Sequence, residues 1–184
     1  MRVYHQQLLF SATDLVNFLG CRHATFLDRR QLEDLLPIAR TDPYLALLQE
    51  KGIEHERAHL ERLRGEHGHV IEITGEYSLE ERTARTRAAM VEGSDVIYQG
   101  AFLQGRWHGY ADFLLRVPGE SSLGPYLYEP IDTKLAHAAK PKHVMQLGVY
   151  ANLIAAVQGR PPECLHIMLG NGKSVALRWG DFQY

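Results

Sequence analysis

The sequence predicts a mixed α/β domain arranged round one central sheet. Two observations point there. The chain has 184 residues, 45% of them hydrophobic, which suffices for one domain with its own core. Stretches with helical periodicity open the chain, and strand-like runs with one further apolar helix dominate the rest. No internal repeat, low-complexity tract or linker divides it, so residues 1–184 read as a single domain.

The elements follow in order. "SATDLVNFL" begins with Ser11 and carries Asp14 three residues later, the spacing of a capping box, so a short helix starts there and ends near Gly20. "TDPYLALLQEKGIEHERAHLERLRGEHG" is the clearest helix, with Asp42 to cap it and Pro43 in its first turn. Leu45, Leu48, Gly52, His55, His59 and Leu63 share one stripe of this helix, which predicts an inward face containing two histidines. "HVIEIT" reads as a strand. "SLEERTARTRAAMVEG" reads as a polar, solvated helix capped by Ser78 and Glu81. "DVIYQGAFL" and "WHGYADFLLRV" read as strands of a hairpin turning at "QGR". "PGESSLGP" reads as turn, "YLYEPIDTKL" as a strand, and "PKHVMQLGVYANLIAAVQG" as a helix apolar on nearly every side, hence buried. "ECLHIMLG" and "SVALRWG" close the chain as a hairpin about "NG".

Composition excludes several classes. The formal net charge is −2, so nucleic-acid binding would need a local basic patch. Cys21 and Cys164 are the only cysteines, too few for a disulfide framework or for a four-cysteine metal site. The first residues lack a signal-peptide core, and no apolar run approaches a membrane span. The expectation is a cytoplasmic protein with no membrane partner.

The chemistry centres on "EPIDTKL". Asp132 and Lys134 alternate onto the same face of a strand, where a carboxylate can hold a hard cation beside an ammonium. With five lysines and 22 acidic residues, chance supplies roughly 0.6 such triplets, so the triplet alone is equally an ordinary ion pair. Asp112 lies on the preceding strand, and an antiparallel pairing would bring it to Asp132. Adjacent carboxylates repel unless something positive lies between them. Otherwise Asp112 simply ends a strand. His55 on the inward helix stripe is either a metal ligand or a core histidine bonded to backbone, with Glu56 and His59 as substitutes. His55 and His59 at i and i+4 can also bind zinc, though no third ligand is evident. Gln146 and Tyr150, again i and i+4, share a side of the apolar helix. From Leu135 to Pro162 no acidic residue occurs, and Lys140 and Lys142 make this a basic zone suited to phosphate. The arginines of "ERTARTRAA" read as solvated.

Taken together, "GIEH" on a helix, then "GYADFLL", "PIDTK" and "QLGVY", resemble the RecB-like branch of the PD-(D/E)XK nucleases. That branch includes nuclease domains of helicase–nucleases and the CRISPR adaptation nucleases. Its motifs fall, in order, on Gly52 and His55, Asp112, Asp132 and Lys134, and Gln146 and Tyr150, across roughly residues 11 to 184. The resemblance implies a restriction-endonuclease-like core, a central mixed β-sheet flanked by helices. It implies that His55, Asp112, Asp132 and the backbone carbonyl of Thr133 bind Mg²⁺ or Mn²⁺. It implies Lys134 as the catalytic lysine, with Asp112 and Asp132 beside it, and Gln146 and Tyr150 as DNA-contacting or site-ordering residues. Many relatives hold a 4Fe–4S cluster by an early cysteine and three late ones. Cys21 fits the first position and Cys164 fits none, so a cluster is expected only in a longer chain, as is a fused or associated helicase.

The resulting expectation is a metal-dependent deoxyribonuclease acting in DNA repair, recombination or defence. The alternatives are a non-cleaving nucleic-acid binding module on the same fold and a zinc hydrolase using His55 and His59.

Overall fold

The computed structural model describes residues 1–33 and 42–182. A small hairpin, β1 (Arg2–Tyr4) and β2 (Gln7–Leu9), opens the chain, followed by helices α1 (Ala12–Gly20), α2 (Arg22–Leu32) and α3 (Pro43–Glu66). Next come β3 (Val70–Glu72), α4 (Leu79–Glu92), β4 (Val96–Gln104), β5 (Trp107–Ser121) and β6 (Gly124–Lys134). Helix α5 (Pro141–Gln158), β7 (Cys164–Leu169), β8 (Ser174–Arg178) and a 3₁₀ turn (Trp179–Phe182) end the described chain. The fold is α/β. Strands β3 to β8 form one six-stranded sheet in sequence order, parallel at β3–β4 and β6–β7 and antiparallel elsewhere.

Local chemistry sets the helix starts. Ser11 and Asp14 form the capping box of α1, and Ser78 and Glu81 that of α4. Asp42 Oδ1 accepts the Tyr44 N–H at 2.9 Å, with Pro43 in the first turn of α3.

The sheet is covered on both faces. Leu60 and Leu63 of α3 pack with Val96, Phe113, Ile131 and Met168. Leu147, Ala151 and Ile154 of α5 and Met90 of α4 pack with Ile97, Leu114, Tyr128 and Ile167. Consecutive strand residues thus serve opposite cores, as strand alternation requires. Two buried side chains continue the sheet where β7 stops short of β6. Gln158 Oε1 accepts the Tyr128 N–H at 2.8 Å, and Glu129 Oε1 accepts the Cys164 N–H at 2.8 Å.

Four sequence expectations need correction. The β1–β2 hairpin and α2 carry too little periodicity in too few residues to be read. "PGESSLGP" is largely strand: β5 and β6 pair up to Ser121–Gly124 through a register shift at Pro118. Pro118 brings no ladder donor and Gly119 takes a positive φ, so a bulge lets the hairpin continue. The stripe of α3 is inward only in its second half: His59, Leu60 and Leu63 are buried, while Leu45 and Leu48 are exposed. Helix α4 is not simply solvated, because Leu79, Thr86, Ala89 and Met90 face the sheet, while Arg82 and Arg85 lie over Tyr110 and Tyr77.

Candidate active site

The β5–β6 ladder runs to Phe113–Ile131 and the register goes no further toward the site. Past that pair the Thr133 N–H turns to a side chain: Asp112 Oδ2 accepts it at 2.8 Å, and accepts the Thr133 hydroxyl at 2.9 Å. Asp112 therefore spans to β6, and the two strands deliver Asp112 and Asp132 to one place. Asp132 is 1% exposed. Its Oδ2 lies 2.6 Å from Lys134 Nζ, and its Oδ1 accepts from Gln146 Nε2 at 3.3 Å.

The electrostatics are unfavourable to two charges. Burial, then the Asp112 charge, pushes the Asp132 carboxyl up to about 7 despite Lys134. Burial likewise raises Asp112, against the pull of the Thr133 hydrogen bonds and Lys134. One ammonium thus faces two desolvated carboxylates, an arrangement a divalent cation would complete.

Helix α5 orders this pair from one side. Tyr150 is 7% exposed, its hydroxyl faces Gln146, and burial raises its pKa. Its ring fills the space that Gly109 leaves: a Cβ there would lie 2.7 Å from Tyr150 Cε1. Tyr150 is thus set in the core, between Gly109 and Gln146. Lys140 and Lys142 are exposed at the start of α5, where Lys142 shares a cavity with Lys134 and Gln146.

From the other side comes α3. The His55 ring is half-buried, with Nε2 3.3 Å from the carbonyl oxygen of Met168 on β7. Met168 is the register partner of Thr133, so His55 sits at the level of the site but is engaged with backbone. His59 is a core residue. It is 5% exposed, packs edge-on against Phe113, and burial lowers its pKa to about 4. Among the described residues, no three His, Cys, Asp or Glu side chains gather to hold an ion. Asp112 and Asp132 offer the hard oxygen donors that Mg²⁺ or Mn²⁺ takes, whereas His55 would first have to leave Met168.

Two residues at the site carried no decisive sequence signal. Glu56, a substitute for its neighbour His55 in the sequence reading, accepts a hydrogen bond from Gln99 and feels the charges of Asp112 and Lys134. Burial, then Asp112, raises its pKa. Gln99 holds a left-handed φ of 56° inside β4, a strained conformation for a residue other than glycine. Backbone geometry of this kind leaves no mark on a single sequence.

The cysteines lie apart from this chemistry. Cys21 is exposed at the start of α2, where its sulfur accepts the Ala24 N–H, and Cys164 begins β7. A groove of about 710 Å³ lies beyond the acidic pair, on the far side of Lys140. It runs between α1, α5 and β8, is lined by apolar residues such as Met145, Leu177 and Trp179, and contains none of the acidic residues. No helix is long and apolar enough to cross a membrane among the described residues. No protein-family model matches the chain, and no curated protein matches it.

Proposed function

We propose that this chain is a Mg²⁺- or Mn²⁺-dependent nuclease of the RecB-like, restriction-endonuclease-like type, hydrolysing DNA phosphodiester bonds. Repair, recombination or defence in the cytoplasm is the proposed setting, alone or with a helicase. One observation carries the reading: buried Asp132 is held against Lys134 and beside Asp112 at the place where two strands part. A structural ion pair gains nothing from a second buried carboxylate, whereas a hydrolytic site needs that charge.

Asp112 and Asp132 would hold the ion, with His55 joining them if released from Met168 and the Thr133 carbonyl nearby. When bound, the ion would polarise the scissile phosphate and lower the pKa of water. Lys134, charged, offers its ammonium to the attacking water and to the negative charge growing on the phosphate oxygens. Gln146 fixes the rotamer of Asp132, and Tyr150 fixes Gln146. Lys140 and Lys142 meet the backbone of the strand.

Purified protein should cut DNA in Mg²⁺ or Mn²⁺ and stop in chelator. Lys134→Ala should lose at least about 100-fold in rate with its fold intact. Undiminished cutting by Lys134→Ala and Asp132→Ala would overturn the proposal. Salt-sensitive DNA binding without cutting would favour a binding module instead.

A further inference from the structure

Beside the acidic pair lies a second cavity of about 310 Å³, between α1 and the first turns of α5. Its polar lining is Thr13, Asn17, Lys134, Lys142, His143 and Gln146. The side chains supply hydroxyl, amide, imidazole and ammonium groups, and no carboxylate lines it. The neighbouring chain explains why. The segment from Leu135 to Pro162 contains no acidic residue. The acid of α1, Asp14, turns instead to the N-terminal amine and to Ser11.

His143 sharpens the chemistry. It is 3% exposed, and its Nδ1 accepts the Lys140 N–H at 3.3 Å. That bond leaves the proton of the neutral ring on Nε2, making this nitrogen a donor. Burial and the charges of Lys134, Lys142 and Lys140 keep the ring neutral, with a pKa lowered to about 4. A cation would meet the ammonium groups of Lys134 and Lys142 and no carboxylate in the lining. An anion with several acceptor oxygens matches donors converging from two helices and a strand. The volume sits at the small end of ligand sites, enough for a phosphate and its sugar.

We infer that this cavity is a phosphate subsite, in which Asn17, Thr13, Lys142 and His143 seat a phosphate of a nucleic-acid strand next to the bond facing Asp132 and Lys134. The inference rests on the proposed nuclease reading for the identity of the ligand. The phosphate is either a terminal monoester or an internal diester, and the two share this recognition.

The test is binding without cleavage. Short single-stranded oligonucleotides with a 5′-phosphate or a 5′-hydroxyl are titrated in chelator by fluorescence anisotropy, with inorganic phosphate as competitor. Lys142→Ala and Asn17→Ala alter exposed side chains and should fold normally. Lys142→Ala should weaken binding about tenfold or more and lower the salt slope by about one. Asn17→Ala should weaken it several-fold. Arg85→Ala, the same charge change on α4, should leave binding as in wild type. Loss confined to the 5′-phosphorylated strand assigns a terminal phosphate, and equal loss on both strands assigns an internal one. Wild-type affinity in both variants overturns the subsite, as does a wild-type protein that binds neither strand. Intact, variant-sensitive binding with no cutting in Mn²⁺ would overturn the nuclease reading and leave the subsite supported.

Discussion

Asp132→Asn should make the protein more stable while abolishing its activity. The carboxyl is pushed from 3.8 up to about 7, by burial first and Asp112 second. Each unit is worth about 1.4 kcal/mol, so the charged form costs the fold up to about 4 kcal/mol. Asp112 shares the repulsion, so about 2–4 kcal/mol is expected. Asparagine keeps the oxygen that accepts from Gln146, and Lys134, 24% exposed, can turn to water. For a chain of this length the gain corresponds to a rise in Tm of about 5–12 °C. The pH dependence has a definite sign. Between about 3.8 and 7 the folded state holds a proton that the unfolded state has lost, so wild-type stability falls as pH rises through that window. The advantage of the variant should be full near pH 8 and vanish toward pH 4. Thermal and urea unfolding of both proteins in chelator at those two pH values measures it. Addition of Mn²⁺ at about a hundred times its Kd should then restore about 2.7 kcal/mol to wild type and little to the variant. A variant no more stable than wild type at pH 8 in chelator would refute the reasoning.

The other predictions concern the scaffold. Gln158→Met strands the buried Tyr128 N–H and removes the bond to the Arg160 carbonyl, at a cost of about 2–4 kcal/mol; an unchanged urea midpoint would count against it. Gly109→Ala puts a methyl 2.7 Å from the Tyr150 ring. It should cost about 1–3 kcal/mol and lower the cutting rate by tenfold or more, since Tyr150 orders Gln146; normal kinetics with lost stability would break that link. His59 is lowered from 6.5 to about 4 and is held neutral, so stability falls as pH drops through that range. His59→Leu should remove up to about 3 kcal/mol of that acid loss, and a constant wild-type-to-variant difference between pH 7 and pH 4 would exclude it.

Signals local in sequence were legible, and those set by tertiary geometry were not. Capping at Ser11, Asp42 and Ser78 needs only residues two or three apart, and the helices begin where those residues fall. The neighbourhood of Asp112 and Asp132 followed from one antiparallel connection between adjacent strands. By contrast, Leu45 and Leu48 show the same period as Leu63, yet they lie uncovered, because periodicity names a face and not what packs on it. His55 was read as facing inward and sits at the right level, but which acceptor its ring meets depends on β7, more than a hundred residues away. The roles of Glu129 and Gln158 were hidden for the same reason. Nothing in the sequence marks Glu129, midway along β6, or Gln158, last in α5, for the ladder positions that the short β7 leaves them to fill.

That shortfall of ladder also explains where the site lies. Midway along a strand of a sheet covered on both faces, a carboxylate is enclosed by apolar side chains and has nothing to act on. At the end of the β5–β6 register the backbone N–H of Thr133 is free to be taken by Asp112, and Gln146 can reach Asp132 from α5. Asp132 stays deep enough to be destabilised as a charge, while Lys134, two residues on, reaches the mouth where the donors of Lys142 and His143 begin. The acidic pair and the anion cavity are then two sides of one lysine. Moving the register by one residue would turn Asp132 and Lys134 to the α3 face and leave the cavity facing Thr133. The chemistry therefore depends on strand register as much as on the identity of the residues.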